Sequence, residues 1–518
     1  MVTRKLDILK NVGASWLSLA INIAVGIFLS PFILHRLGNL AYGAWALTFS
    51  VTGYYGLFDL GIRSSIIRYV STYSASDDRE GLQKLINTAL AAYCVIGAIA
   101  FLITLAVSSK VESLFRLPPD FVGTAKQLFL IVGSAVALGF PSSLFSGILE
   151  GLGRFYVSNL TNVVSTLLRA MLIVLALLRG HGIVAVALIT VILPLLAAVF
   201  RAVFVFHLLP LRFSWKYVER QALHEIARYS GVSFIIMIAY KLRFKTDEIV
   251  ISTFLSVSAV TFFSNGDRLV DYTGEVVSSL AQIFLPMSGQ SDAKGDFDQI
   301  RRIFILGNRA CALVVFPISA VLIILGKSII TAWVGERYVT ACYPVMLTLL
   351  IPSTFFLAQS ASPRILYGMA RHRVLAWITS MEGIANLILS ILLIHQYGII
   401  GDALGTAIPL TCTALFFYPR HLCRLLSVPL RLFLRQAYSL PLLFTAPTVA
   451  SLLLIRRLFF ADNYWRVGVQ ILVGLVPYLL CLEWAFRTKR VWQGADFAPV
   501  QPLDEIGLAL VQTYEEKP

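Results

Sequence analysis

The sequence predicts an all-α, polytopic membrane protein with about fourteen transmembrane helices. Of its 518 residues, 58% are hydrophobic and only 14% are charged, and the mean hydropathy is +0.78. These values lie outside the range of soluble domains. Apolar stretches of about 20 residues, the length that crosses a bilayer, recur along the chain between short polar breaks.

The predicted spans follow one another with short loops. The first six are 12–34, 41–62, 84–107, 122–149, 155–178 and 182–209. The next six are 227–253, 257–288, 303–325, 341–361, 374–395 and 399–419, and the last two are 438–460 and 465–486. The first span is too long for a signal-peptide core and is followed by no small-residue cleavage site, so we expect it to be retained.

Basic residues accumulate in alternate loops, which predicts the orientation of the chain. With the N-terminus inside, about 26 Lys and Arg lie inside and about 10 outside, as the positive-inside rule requires. Both termini are therefore expected in the cytoplasm, with the chain in the cytoplasmic (inner) membrane. The net charge of +15 is then explained by loops that face anionic lipid. The sequence contains no polybasic arm, so no nucleic-acid partner is expected.

Three pairs of segments reveal an internal repeat. NVGASW (11–16) resembles YSGVSF (229–234), ILEGLGRFYV (148–157) resembles ILYGMARHRV (365–374), and HGIVAVALIT (181–190) resembles YGIIGDALGT (397–406). Their nearly constant offset predicts two parallel six-helix lobes, residues 1–210 and 211–437. Two further spans (438–490) and a cytoplasmic tail (491–518) follow. A cleft between such lobes is where transporters place their substrate.

Several short motifs of the first lobe, and one of the second, resemble a known family. They are YGAW (42–45), LFDLG (57–61) and DEIVI (247–251). This order resembles the polysaccharide-transporter branch of the multidrug/oligosaccharidyl-lipid/polysaccharide exporter superfamily, which includes O-antigen and exopolysaccharide repeat-unit flippases. The resemblance implies a V-shaped carrier that moves undecaprenyl-diphosphate-linked oligosaccharide between leaflets by alternating access. It also implies a polysaccharide polymerase and a chain-length regulator as partners.

Cations within the predicted spans identify candidate substrate-binding residues. Lys241 and Lys245 share one face of the seventh predicted helix and Arg243 lies on the opposite face, while Arg169 follows a polar stripe on the fifth and Arg268 lies on the eighth. Because charges at membrane depth are costly, they are expected to face a water-filled cleft. There they suit a diphosphate, which Arg binds through paired hydrogen bonds and Lys as a point charge. The alternative for Lys245 is a local pair with Glu248.

Carboxylates on the eighth predicted helix are candidate ion-coupling residues. Asp267, Asp271 and Glu275 accompany a single Arg on neighbouring faces, and this excess of negative charge favours proton uptake by at least one acid. Coupling to H⁺ is therefore expected, with Na⁺ as an open alternative and a structural tie to the seventh helix as the other. Asp59, in the LFDLG motif, is a further candidate, for which an interfacial ion pair with Arg63 is the alternative.

Other intramembrane polar residues favour structural roles. Arg201 and Arg309 lie near helix ends, where long cationic side chains reach the head groups. Glu382 and Asn386, one turn apart, favour an interhelical hydrogen bond over a second proton site.

No enzyme motif is recognisable. The sequence contains no P-loop, no HExxH or paired Cys/His metal motif and no G-x-S-x-G elbow, so no enzymatic activity and no cofactor are expected. The remaining alternatives are a lipid II flippase and a cation-coupled drug exporter of the same fold. A membrane polysaccharide polymerase or ligase would need a sizeable outside loop, and the predicted outside loops are all short.

Overall fold

The protein is an all-α helical bundle. The computed structural model describes residues 2–59, 61–76, 78–209, 211–220, 238, 241, 246–369, 371, 373–458, 463–488 and 490, and contains no strand within these ranges. Nearly all of these residues lie in helices, which confirms the predicted fold class.

Seven α-helices form the first lobe: α1 (Val2–Gly53), α2 (Ile62–Ala75), α3 (Arg79–Ser109), the short α4 (Val111–Leu114), α5 (Val122–Gly151), α6 (Phe155–Leu178) and α7 (Ile183–Leu208). A 3₁₀ turn, Tyr54–Asp59, connects α1 to α2. Helix α5 packs against α3 and α7, and α6 packs against α1 and α7. The predicted spans 122–149, 155–178 and 182–209 thus coincide with α5, α6 and α7.

The second lobe contains α8 (Asp247–Phe254), α9 (Val257–Ala281), α10 (Phe284–Ala293), α11 (Phe297–Trp333), α12 (Val339–Leu357), α13 (Ala361–Gly368), α14 (Arg373–Cys412) and α15 (Tyr418–Leu425). The two last helices are α16 (Leu430–Leu458) and α17 (Tyr464–Arg487), which pack against each other and against α11. The lobe boundaries predicted from the repeat stay a prediction.

Ten helices of the described part of the chain are long and apolar enough to cross a membrane. Two of these ten each cover two predicted spans, because α1 is bent at Gly38 and α14 at Gly398, where φ is +79° and +58°. Glycine adopts such angles without steric cost. The other two predicted spans are 227–253, which lies mostly outside the described residues, and the charged 257–288, which contains α9 and part of α10. The ten helices are therefore compatible with fourteen spans, a number that stays a prediction.

Prolines inside the helices free backbone carbonyls that neighbouring aromatic residues bind. Proline has no N–H, so the carbonyl four residues earlier loses its helical partner. Pro31 frees the carbonyl of Ile27, which accepts a hydrogen bond of 2.6 Å from the indole nitrogen of Trp333. Each freed carbonyl at membrane depth needs such a substitute donor. Trp333 lies in α11, so this bond also joins the two lobes.

The lobes meet around the bend of α1, a region that we term the Gly38 end. The Asn39 side-chain oxygen accepts a hydrogen bond from the Tyr338 hydroxyl, and the Asn39 carbonyl accepts one of 2.6 Å from Thr261. The His35 ring nitrogen Nε2 donates to the Val334 carbonyl at 2.9 Å. These bonds hold the two lobes together at this end of the bundle.

Glycine allows the closest approach at the Gly38 end. A side-chain carbon at Gly43 would overlap the carbonyl oxygen of Val257 at the start of α9. Helices α1 and α9 therefore touch backbone to backbone, which a larger residue would prevent.

Candidate functional site

A cavity of about 470 Å³, termed the central cleft, lies between the two lobes. Its walls come from α1, α6 and α7 of the first lobe, and from Lys241, α8 and α9 of the second. The cleft brings together six of the residues predicted from the sequence: Arg169, Lys241, Asp267, Arg268, Asp271 and Glu275. Two helix turns of α9 supply four of them, because positions three and four apart share one helix face.

Among the cations of the central cleft, Arg169 is the one whose charge no described residue compensates. It is half-buried on α6, and neither an ion pair nor a hydrogen bond reaches it from the described residues. A guanidinium at membrane depth without a partner is costly, which favours the binding of an anion beside it. Asn22 and Thr166 nearby are hydrogen-bonded to each other, at 3.3 Å, so they do not satisfy it.

Arg268 occupies a different environment on the opposite wall. Its guanidinium lies among Tyr42, Tyr272 and the carboxylate of Asp271. The charge of Arg268 is thus partly compensated by its neighbours, whereas that of Arg169 is not. The two arginines approach the same cavity from different lobes, α6 and α9.

Lys241 and Glu248 lie where the lobes touch below the bend of α1. The Lys241 side-chain nitrogen lies close to Gly53, and its carbonyl accepts a hydrogen bond of 3.2 Å from Tyr54. The buried carboxylate of Glu248 accepts one of 3.3 Å from Ser50. Both residues of the second lobe are therefore held by the end of α1.

Acids slightly outnumber bases in the described lining of the central cleft. The described lining contains three cations, Arg169, Lys241 and Arg268, and four carboxylates, Glu248, Asp267, Asp271 and Glu275. The acids nevertheless have partners: Glu248 is bonded to Ser50, and Asp267, Asp271 and Glu275 each interact with other groups.

Three predicted site residues are not placed in the cleft. Arg243 and Lys245 lie outside the described residues. Asp59 lies within the first lobe, where its carboxylate accepts a hydrogen bond of 2.7 Å from Tyr93. The ion pair considered for Asp59 is not the one that forms, since Arg63 pairs with Glu150 instead. The reason is local: Asp59 ends a 3₁₀ turn and α2 begins only at Ile62, so Asp59 and Arg63 do not lie one α-helical turn apart.

Two further polar residues of the spans, Glu382 and Arg309, have structural partners. Glu382 accepts a hydrogen bond of 3.0 Å from Thr413, which is the interhelical bond that the sequence favours. Arg309 is buried and donates at 2.8 Å to the carbonyl of Gln436 on α16. Arg309 therefore does not extend to the head groups but ties α11 to α16.

A second group of buried polar residues, termed the Asp402 pocket, was missed by the sequence analysis. Asp402 of α14 is 0% exposed, and neither of its carboxylate oxygens has a hydrogen-bond partner in the described chain. The carboxylates of Asp247 and Glu248 lie close enough for their negative charges to repel that of Asp402. An isolated buried carboxylate is very unfavourable unless it binds a proton or a cation.

Hydroxyl and amide groups complete the Asp402 pocket. Thr406 donates to the carboxylate of Asp247 at 3.2 Å and accepts from Asn386 at 3.0 Å. Ser390 donates to the Asn386 side-chain oxygen at 3.0 Å and to the Asp402 carbonyl at 3.2 Å. The signal in the sequence was the spacing of Asn386 with Ser390 and of Asp402 with Thr406, both one helix turn. Within the described ranges, no three His, Cys, Asp or Glu side chains have the geometry of a metal site.

Comparison with known proteins gives both a family and a fold. The model of a family described as polysaccharide biosynthesis protein matches residues 33–343, which is more than half of the chain. A protein of Shigella flexneri named "Putative O-antigen transporter" is 20% identical over 411 residues, covering 79% of this chain and 96% of the relative.

Two solved structures share the fold. The lipid II flippase MurJ in an inward closed conformation has a TM-score of 0.72 at 17% identity, covering 93% of this chain and 100% of that one. An inward-facing multidrug resistance MATE family transporter has a TM-score of 0.67 at 16% identity, covering 79% of this chain and 95% of that one. At such identities the likeness concerns the fold alone.

Proposed function

The chain belongs to the polysaccharide biosynthesis protein family, a polysaccharide-transporter family of the multidrug/oligosaccharidyl-lipid/polysaccharide exporter superfamily, and on that premise we propose that it is a flippase. Its substrate would be polyprenyl-diphosphate-linked oligosaccharide, moved across the cytoplasmic membrane for O-antigen, capsule or exopolysaccharide assembly. The name of the Shigella relative and the flippase fold of the structural relative support this proposal.

The observation that carries the proposal is the uncompensated charge of Arg169. Within the described part of the chain, the acids of the central cleft are engaged and Arg169 is not. An anion bound in the cleft would therefore pair with Arg169. A diphosphate supplies that anion, and its oxygens match the planar guanidinium through paired hydrogen bonds.

The same observation separates the proposal from a drug exporter. A carrier of organic cations needs carboxylates that are available to the drug, whereas here the carboxylates have partners and a cation does not. The net sign of the lining does not discriminate between the two, because acids slightly outnumber bases.

Coupling to an ion is part of the proposal. The carboxylates of α9, Asp267, Asp271 and Glu275, face the central cleft directly. The Asp402 pocket lies on the other side of α8 and contains the carboxylate that most needs a proton or a monovalent cation. Asp247 belongs to the Asp402 pocket and its neighbour Glu248 lines the central cleft, and both lie on the short helix α8. Binding of H⁺ or Na⁺ in the pocket and binding of substrate in the cleft would therefore both act on α8.

With both termini in the cytoplasm, the Gly38 end faces the outside. The structure would then be the state that receives substrate from the cytoplasmic leaflet, because the hydrogen bonds of Asn39 and His35 close the outer end. Outward release requires that these bonds break.

Gene deletion followed by labelling of lipid-linked saccharide on each face of the cytoplasmic membrane tests the proposal. Viable cells that retain repeat units on the cytoplasmic face, and that regain export with the parent gene but not with Arg169→Ala, are expected. Lethality with accumulated peptidoglycan precursor would instead identify a lipid II flippase. Unchanged pools of both lipids would refute transport of either.

A further inference from the structure

A second cavity lies inside the first lobe, next to the central cleft. This lateral cavity, of about 420 Å³, is enclosed by α5, α6 and α7, with Arg63 of α2 and Phe49 of α1 at its edges. Its volume falls within the range of ligand pockets, about 300–1,000 Å³. Phe49 and Thr190 line both cavities, so the two share a wall.

The lining of the lateral cavity is unusually polar for the interior of a membrane-embedded lobe. Four serines, two asparagines and a threonine contribute to it. Hydrophobic side chains would fill such a space at a lower free-energy cost, because each polar group taken out of water must find a hydrogen-bond partner. The composition therefore indicates a cavity that holds polar contents.

Part of this hydrogen-bonding capacity is not used by the protein. The hydroxyls of Ser158 and Thr190 and the Nε of Arg201 are buried in the cavity wall and find no partner among the residues that the structure describes. Arg201 makes one bond, from its NH1 to the side-chain oxygen of Asn162 at 2.9 Å, which directs the guanidinium toward the cavity. Unsatisfied groups of this kind favour a ligand with many oxygens.

The charges of the lateral cavity distinguish it from the central cleft. Arg63 and Glu150 form an ion pair and cancel each other. Arg201 has no ion pair with a described carboxylate, so a single positive charge is left beside hydroxyl and amide groups. Sugar hydroxyls, ring oxygens and a sugar carboxylate each match a single cation beside hydroxyl and amide groups. Phe49 adds an aromatic surface on which the apolar face of a sugar ring can pack.

The spacing of the two cavities matches one extended ligand. On α6, Asn162 lines the lateral cavity and Arg169 the central cleft. They are seven positions apart, which is about 10 Å along the helix axis at 1.5 Å per residue. A lipid-linked saccharide whose diphosphate meets Arg169 can thus place its sugars beside Asn162 and Arg201.

We propose that the lateral cavity is the saccharide subsite of the transporter, and that its Ser158, Asn162 and Arg201 select the sugar part of the substrate. This inference rests on the proposed function, in which the central cleft holds the diphosphate. It assigns substrate recognition to two separate sites, one for the invariant diphosphate and one for the variable saccharide.

The test measures binding of two probes by native mass spectrometry of the purified full chain. One probe is undecaprenyl diphosphate without sugar, and the other is lipid-linked saccharide extracted from membranes of the host cell after deletion of the gene. The variant is Ser158→Ala/Asn162→Ala, which removes an unpartnered hydroxyl and an exposed amide and should fold. Arg201→Gln is the second variant, and Leu160→Ala, on the lipid-exposed face of the same helix, is the control.

The parent is expected to bind the saccharide-bearing probe more tightly than undecaprenyl diphosphate. Both cavity variants should bind the saccharide-bearing probe about tenfold more weakly, the effect of losing roughly two hydrogen bonds. Their affinity for undecaprenyl diphosphate should stay within about twofold of the parent, and Leu160→Ala should match the parent with both probes.

Three results would overturn the inference while leaving the flippase proposal intact. They are equal affinity of the parent for the two probes, unchanged saccharide binding by the variants, and equal losses for both probes. Failure of the parent to bind either probe would instead remove the proposed function, and with it the saccharide subsite.

Discussion

Replacement of Arg169 by Gln should change two quantities in opposite senses: it should stabilise the protein without substrate, and it should weaken the binding of substrate. In the unliganded protein the guanidinium is half-buried and has no described partner. An Arg at the centre of a membrane helix costs about 2.5–3.5 kcal/mol on the insertion scale. Because the central cleft is polar, we expect only part of this cost, about 1 kcal/mol, to apply here. Arg169→Gln should therefore stabilise the empty transporter by that amount.

The same substitution should weaken substrate binding. A charge-assisted hydrogen bond to a diphosphate contributes about 1.5–3 kcal/mol, which corresponds to a loss of roughly 10- to 150-fold in affinity. The unfolding midpoint of the purified protein, followed by tryptophan fluorescence, reports the first effect. Titration with undecaprenyl diphosphate reports the second.

Arg309 provides the matched control. It is also an arginine inside a membrane helix, but it is 4% exposed and donates to the Gln436 carbonyl. Arg309→Gln should lower the free energy of unfolding by about 1.5–3 kcal/mol because that bond is lost, with unchanged affinity for undecaprenyl diphosphate. If Arg169→Gln were the destabilising substitution, or if it bound the diphosphate as well as the parent, the assignment of Arg169 as the anion-binding residue would be refuted.

Three further substitutions test the coupling site and the Gly38 end. Asp402→Asn should preserve the fold and abolish the dependence of transport on H⁺ or Na⁺; transport that still follows the ion gradient would exclude the Asp402 pocket as the coupling site. Tyr338→Phe removes one hydrogen bond between the lobes and should shift the equilibrium toward the state open at the Gly38 end by about 0.5–1.5 kcal/mol, as measured by labelling of a cysteine placed in the cleft. Tyr343→Phe, whose lost bond lies within one lobe, should not change the labelling. Gly43→Ala should keep the Gly38 end open, because the added methyl group meets a backbone carbonyl of α9, whereas Gly123→Ala, with no atom within 4 Å of the new carbon, should transport normally.

The sequence predicts the helices well and the contacts between them poorly. Apolar runs identify α5, α6 and α7 almost to the residue, because burial in lipid requires continuous hydrophobic segments. The positions of Arg169 and of the α9 acids in one cavity follow from the same logic, since charges avoid lipid. Hydropathy cannot predict which charges meet, because that depends on the rotation and the crossing of helices.

Three residues illustrate this limit. The sequence spacing allows an ion pair of Asp59 with Arg63 as one alternative, but a 3₁₀ turn intervenes, and the partner of Arg63 is Glu150, 87 positions away. Arg309 was expected at the membrane surface, yet its side chain crosses to α16. Asp402 is a single acid in an apolar helix. The sequence does not predict that it lies beside Asp247 and Glu248, because these come from a distant part of the chain.

For the proposed flippase, the proline in α1 would make opening of the Gly38 end dependent on water. While the lobes are closed, the Ile27 carbonyl that Pro31 deprives of its helical donor is satisfied by Trp333. If the Gly38 end opens as proposed, separation of the lobes would withdraw Trp333 from Ile27, and no backbone N–H would take its place. Water must then hydrate the carbonyl before the open state is stable. The rate of outward opening would therefore depend on how quickly water enters the interface between the lobes. The hydrogen bond that Pro31 removes from one helix would thus limit the rate of the whole transporter.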